Sequence, residues 1–207
     1  MDVSLCEAQS IARAQATAFG VCAAALLNEP TFSLIEDVEK VAHVLGNGCF
    51  EDLVDSGDLF QRYYDRFFVP VSSYYVPLVE SCVARRRQTE SGWELGSYDG
   101  PSADHVLRCY KTVGFDWRGL EGYTLAVQTA KPDSLAIEAA FVAFLKKAES
   151  QAETADCKSI GLLCDEFVRL HPARWAGDAA MLMEQKGDDF YARMVRLLAQ
   201  LFEALAN

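Results

Sequence analysis

The chain has 207 residues, and its 30 acidic and 19 basic side chains give a net charge of −11 at pH 7. This length suits one large domain or two small ones, and such a chain can bury enough surface to fold without a metal ion or a disulfide. The negative charge argues against nucleic-acid and anionic-membrane partners, because both attract lysine and arginine.

The first predicted helix covers residues 5–28, a largely apolar stretch that ends before Pro30. Its most apolar part, residues 16–27, is too short to span a bilayer. Asp2 and Glu7 make the preceding segment acidic, whereas a secretory signal begins with basic residues. We therefore expect a buried helix and no stable membrane insertion.

The second helix is predicted to begin at a capping box formed by Ser33 and Glu36, and to end at the glycines of residues 46–48. Residues 51–58 are acidic but lack EF-hand spacing, so a solvated helix or loop is expected there. A third helix follows and ends before Pro70.

Residues 70–77 lie between two prolines and predict an ordered, apolar loop. Residues 78–90 are predicted to return to helix. Residues 91–102 are rich in glycine and serine, and they are the clearest loop in the chain and a candidate hinge.

The C-terminal half predicts one helix after another, at residues 103–114, 119–130, 133–145, 158–171 and 190–205. No convincing strand pattern and no internal repeat is present. The sequence thus predicts an all-α fold, a single-chain bundle of about nine to eleven helices forming one domain over residues 1–207.

The chemistry of known enzyme classes is missing from the sequence. It contains neither a phosphate-binding glycine loop nor the elbow of a serine hydrolase. His43, His105 and His171 are far apart in the sequence, and no two of the seven cysteines have C-x-x-C spacing. We therefore predict no catalytic residues, no metal site, no cofactor and no disulfide framework, in keeping with a reducing cytoplasm.

Four segments, taken in order, resemble the TorD/DmsD family of chaperones for molybdenum-containing oxidoreductases. Residues 64–70 and 76–81 resemble the family's Y-x-R-L-F and P-P-x-E-S segments, residues 131–145 its P-D-H-x-x-x-E-L-x-F helix, and residues 166–175 its F-x-x-x-H-L-x-x-W helix end. Ser134 stands where the family has histidine. The opening helix and its exit, residues 19–38, are similar to the start of the family. The motif residues are Tyr64, Arg66, Phe67, Pro132, Phe141, His171 and Trp175.

The resemblance implies a TorD-like cytoplasmic chaperone rather than an enzyme. Its partner would be the apo catalytic subunit of a molybdopterin oxidoreductase, often bound through its twin-arginine leader. The chaperone would hold this subunit until the cofactor is inserted, and export would follow. It would act as a monomer or a homodimer, and nucleic acid would not be a partner.

A leader with a basic start and an apolar segment needs an apolar groove and carboxylates. The apolar candidates are Tyr74, Tyr75, Val76, Pro77 and Leu78, and the carboxylate candidates are Glu80, Asp133 and Glu138. Each also has a structural alternative: Asp133 as a helix N-cap, Glu138 as an ion-pair partner, Glu80 as an acceptor of loop N–H groups, and the tyrosines as packing residues.

Three other functions stay open at this point. The chain could assist a nitrate-reductase-type subunit that is not exported. It could be an all-helical ligand-binding regulator, although residues 1–30 show no basic helix-turn-helix. An enzyme using Cys164 or Asp133 is the third alternative, and nothing in the sequence indicates its substrate.

Overall fold

A computed structural model describes residues 3–46, 50, 59–90 and 92–207. Within these residues ten α-helical segments account for most of the chain, so the predicted all-α class is confirmed. The helices are α1 (Val3–Leu27), α2 (Phe32–Val44), α3 (Leu59–Phe67), α4 (Glu80–Val83), α5 (Pro101–Val113), α6 (Thr124–Thr129), α7 (Leu135–Gln151), α8 (Thr154–Leu170), α9 (Ala176–Lys186) and α10 (Phe190–Ala206).

The core is formed where α1 packs along α7 and where α8, α9 and α10 complete the bundle. On α1 the buried face includes Phe19, Cys22 and Ala23. The ring of Phe19 lies 5.0 Å from that of Phe202 on α10, which ties the two ends of the chain together. Small residues at this contact let the α1 and α7 backbones approach closely, as at Gly20, whose missing Cβ would lie 3.9 Å from Ala143.

The helix α1 is longer than the apolar stretch considered in the sequence. Its segment Cys6–Leu27 has 22 residues and is, by length and composition alone, sufficient to cross a membrane; it is the one such helix among the described residues. In the structure its apolar face is used for packing against α7 and α10. Residues 16–27 alone are too short to span a bilayer, but the apolar helix extends back to Cys6; the expected burial in the core is confirmed.

The predicted helix over residues 78–90 is wrong. Only the four residues of α4 are helical, and an antiparallel hairpin follows, with β1 (Arg87–Thr89) paired to β2 (Gly92–Glu94). Of the six strand residues only Trp93 is half-buried against the core and the other five are exposed, and Gly92 takes a φ of 125°, which side chains disfavour. The Arg86 side chain bonds the Asp178 carboxylate on α9 and thereby holds the hairpin against the bundle.

Helix starts also differ from the sequence-based expectation. The N-cap of α2 is Thr31, whose hydroxyl accepts a hydrogen bond from Leu34 N at 3.2 Å, so the predicted capping box at Ser33 and Glu36 is wrong. Residues 119–130 contain only α6, after a 3-10 turn at Trp117–Gly119. The predicted acidic loop, residues 51–58, lies outside the described residues.

Candidate functional site

The described chain contains an apolar groove of about 380 Å³ between α1, α3, α6 and the start of α7. Part of its lining comes from the loop between the two prolines, in which residues 70–74 form turns and residues 75–78 form neither helix nor strand. The walls come from Leu26, Leu27, Phe67, Phe68, Pro70, Tyr75, Val76, Pro77, Leu78, Val79, Tyr98, Leu125, Ala126, Thr129, Ala130, Lys131, Ser134 and Ala136.

Main-chain hydrogen bonds fix the chain after this loop to the segment before α7. Leu135 N donates to Leu78 O at 3.0 Å, and Glu80 N donates to Asp133 O at 2.8 Å. The loop itself is closed by turn bonds, from Ser72 N to Val69 O at 2.9 Å and from Tyr75 N to Ser72 O at 3.2 Å. The main chain after Pro77 is thus fastened to the start of α7.

An acidic pocket of about 510 Å³ adjoins the groove at the end of α1. Leu27 lines the groove and the next residue, Asn28, lines the pocket; Tyr123, also in the pocket lining, donates from its N to Leu27 O at 2.8 Å. Glu29 and Asp37 supply carboxylates to this pocket, and its described lining contains no lysine or arginine. Glu29 accepts a hydrogen bond from the Tyr64 hydroxyl, and Asp37 pairs with the exposed Lys40 at 3.0 Å.

The predicted peptide-binding carboxylates Glu80, Asp133 and Glu138 lie inside the protein. Their exposed fractions are 6%, 0% and 0%, so an incoming guanidinium does not reach them in this conformation. The structure therefore separates this carboxylate cluster from the surface of the groove.

Asp133 is not the N-cap of α7, because that position belongs to Ser134. Its Oδ2 instead accepts hydrogen bonds from Ser81 N at 3.1 Å and from Ser81 Oγ at 2.6 Å. Burial raises the pKa of Asp133 above its usual range, against the lowering effect of these two bonds. The residue joins α4 to the start of α7.

Glu138 accepts a hydrogen bond from Trp175 Nε1 at 3.1 Å. This bond stands where an ion pair was predicted. Burial, together with the Glu80 carboxylate beside it, raises the pKa of Glu138 well above its usual range. Glu80 Oε2 lies 2.8 Å from His171 Nδ1, so Glu80 holds a helix junction rather than the loop before it.

His105 and His171, distant in the sequence, form a stacked pair in the structure. His105 Nδ1 lies 2.6 Å from His171 Nε2, and the ring centroids are 4.8 Å apart. Burial lowers the pKa of His105, and the neighbouring His171 adds to this effect. Burial opposes the charged form of His171 too, but its contacts with Cys109 and Glu80 outweigh this and raise its pKa to about 9.

Of the two tyrosines predicted to contact the peptide, only Tyr75 lines the groove. Tyr75 lines the groove together with Pro77, and its hydroxyl bonds that of Tyr98. Tyr74 points elsewhere: its ring lies 3.4 Å under the Arg62 guanidinium, and its carbonyl accepts from Arg66. Tyr74 is therefore a packing residue in this conformation.

The motif residues mostly hold the framework around the groove. Arg66 is fully buried and donates to the Asp189 carboxylate and to the carbonyls of Tyr74, Met183 and Gly187. Pro132 O accepts from the Tyr110 hydroxyl at 2.8 Å, and the Phe141 ring packs 4.6 Å from that of Tyr110. Trp175 is fully buried beside His171, at the junction of α8 and α9.

The sequence did not indicate the acidic pocket or the histidine pair. The histidine pair joins residues 66 positions apart, which no local spacing could have predicted, whereas most of the pocket lining, including both carboxylates, comes from residues 28–37 and is closed by Gly122 and Tyr123. Comparison of the chain with models of protein families, with curated proteins and with solved structures found no match.

Proposed function

We propose that this protein is a cytoplasmic chaperone, not an enzyme, that binds an apolar client segment preceded by arginines. The observation that carries the proposal is that Leu27 of the apolar groove is followed in the chain by Asn28 and Glu29 of the acidic pocket and is hydrogen-bonded to Tyr123 of that pocket. The resemblance of residues 64–70, 76–81, 131–145 and 166–175 to TorD/DmsD chaperones supports a twin-arginine leader of an apo molybdopterin oxidoreductase subunit as the client.

The groove suits the apolar part of such a leader. Its walls are mostly aliphatic and aromatic, and a helical segment laid in a groove of this kind contributes affinity by burying its apolar face. Lys131 at the rim is paired with Asp99 at 3.1 Å, so its charge is already partly compensated.

The acidic pocket suits the arginines. A guanidinium forms charge-assisted hydrogen bonds with carboxylates, and Glu29 and Asp37 are the carboxylates next to the groove. They replace the buried Glu80, Asp133 and Glu138 in the proposed contact. Tyr64, which bonds Glu29, lies in one of the segments that carry the family resemblance.

Chaperone action then follows from occupancy. A bound leader is hidden from the export machinery, and binding of the folding-competent client stabilises it by mass action until the cofactor is inserted. No chemical step on the client is required.

The proposal is tested with a labelled synthetic peptide that carries two arginines before an apolar stretch. Leu125→Asp places a charge on the wall of the groove, and we expect fluorescence anisotropy to show affinity reduced by about tenfold or more. Leu162→Asp is the matched control, because Leu162 is exposed on α8 and does not line the groove.

The arginine contact is tested by Glu29→Gln combined with replacement of both peptide arginines by glutamine. We expect the protein change to cost about tenfold in affinity for the arginine peptide and little for the glutamine peptide. Glu203→Gln, on the exposed face of α10, is the control. Unchanged affinity in both Leu125→Asp and Glu29→Gln would contradict the proposed site, and recovery of no molybdoenzyme subunit from cells that make one would contradict the proposed client.

A further inference from the structure

Three side chains with metal-binding atoms converge at one edge of α5. His105 and Cys109 are four residues apart on this helix and therefore share a face. His171, at the end of α8, approaches the same face. One ligand atom from each of the three residues lies within 4.8 Å of the others.

We propose that His105, Cys109 and His171 bind one divalent transition-metal ion of the zinc class. Two imidazole nitrogens and one thiolate match the donors preferred by zinc and its neighbours, whereas calcium and magnesium require oxygen donors. Three protein ligands leave the fourth position of a tetrahedral ion to solvent.

Glu80 prepares His171 for this role. Its Oε2 lies 2.8 Å from His171 Nδ1, so Nδ1–H can donate to the carboxylate, and Nε2, once it has lost its own proton, offers its lone pair on the side of His105. A carboxylate behind a ligating histidine orients the ring and increases its basicity in many metal sites. Glu80 is thus a positioning residue and not a ligand.

The ion requires a small local movement. Tetrahedral coordination at the usual zinc–nitrogen distance places two ligand nitrogens about 3.3 Å apart, whereas the two histidine nitrogens are now 2.6 Å apart. His171 is buried and held by Glu80, so the partly exposed His105 must turn outward by under about 1 Å. The ion then lies between the two rings, and the proton between the two nitrogens and the proton of the Cys109 thiol are released to solvent.

The metal site is distinct from the proposed peptide site, because none of its three ligands lines the groove or the acidic pocket. Its occupation would connect α5 to the junction of α8 and α9. Failure of the metal proposal would therefore leave the proposed function untouched.

The test is titration of the reduced, chelator-treated protein with ZnCl₂ in a calorimeter, followed by titration with Co²⁺ in a spectrophotometer. We expect one ion per chain, tetrahedral cobalt bands, and a thiolate-to-cobalt charge-transfer band. His105→Ala and Cys109→Ser should each weaken zinc binding by about tenfold or more, and Glu80→Gln by about 10–100-fold.

Matched controls separate this site from adventitious binding. His43→Ala and Cys6→Ser change an exposed histidine and an exposed cysteine elsewhere, and both should bind zinc as the unaltered protein does. Circular dichroism verifies that each variant is folded. Three results would overturn the proposal: the unaltered protein binds no zinc, folded Cys109→Ser binds zinc as tightly as the unaltered protein, or the charge-transfer band persists in Cys109→Ser.

Discussion

At the residue scale, the sequence led us to place the carboxylates of Asp133 and Glu138 at the protein surface, whereas the structure buries them. Asp133 and Glu138 follow a proline-marked helix start, which indicates a cap and an exposed first turn. Their burial depends instead on α4 and α9, which cover them from distant parts of the chain. No local sequence pattern specifies which distant segments bury a residue. The sequence therefore indicated these two residues as candidates but could not predict that they are buried.

Asp133 makes the stability of the protein depend on pH. Because burial raises its pKa in the folded state above the unfolded value near 3.9, its stabilising contribution is fully present below that value. The contribution is lost as the pH rises through the folded pKa. The unaltered protein should therefore lose stability through this term as the pH increases from about 4 towards neutrality.

Asp133→Asn removes this titration and keeps an oxygen that can accept from Ser81 N and Oγ. We expect urea unfolding of this variant to show a smaller loss of stability between about pH 4 and about pH 7 than the unaltered protein shows. Glu203→Gln changes an exposed carboxylate and should reproduce the unaltered pH profile. An Asp133→Asn profile identical to that of the unaltered protein would show that Asp133 does not titrate in this range.

At the element scale, long helices were predictable and short elements were not. The helices α7, α8 and α10 carry apolar residues at three- and four-residue steps over 17 residues each, which is a strong periodic signal. The hairpin strands have three residues each, and all are exposed or half-buried. Their position is decided by contacts with the bundle, which a local pattern does not contain.

The candidate hinge at residues 91–102 illustrates the same point. Its glycine and serine content indicated a loose loop, but Gly96 N donates to Cys82 O at 2.8 Å. A Cβ at Gly100 would lie 2.5 Å from Ser81 Oγ and 2.6 Å from Ser81 Cβ. In this region glycine permits close packing onto α4 rather than free movement.

Gly100→Ala should therefore destabilise the protein, by about 1–3 kcal/mol as expected for overpacking beside a buried side chain. Gly177→Ala is the matched control, because no atom outside the helix lies within 4 Å of the added Cβ, and it should stabilise by about 0.4–1 kcal/mol. The measurement is urea unfolding of the three proteins under one condition. A neutral Gly100→Ala would indicate that residues 91–102 do move away from α4.

At the scale of the whole molecule, the parts of the chain on either side of residues 91–102 are interleaved. The helix α1 packs on α7 and α10, and α3 contacts α10. The buried Arg66 of α3 bonds the Asp189 carboxylate at the start of α10. The parts before and after the loop thus share one core, and neither can lose its structure without exposing apolar surface of the other.

We accordingly predict a single cooperative unfolding transition. The three tryptophans are Trp93, Trp117 and Trp175, so tryptophan fluorescence reports on the chain from the hairpin onward, whereas far-UV circular dichroism also reports on α1, α2 and α3. Because the core is shared, the two signals should have the same urea midpoint and the same slope. Trp93→Phe removes the hairpin tryptophan and leaves the two buried ones, and its two signals should coincide as well. A dichroism change that precedes the fluorescence change would mean that α1 to α3 separate from a stable remainder, and the single domain over residues 1–207 would then be wrong.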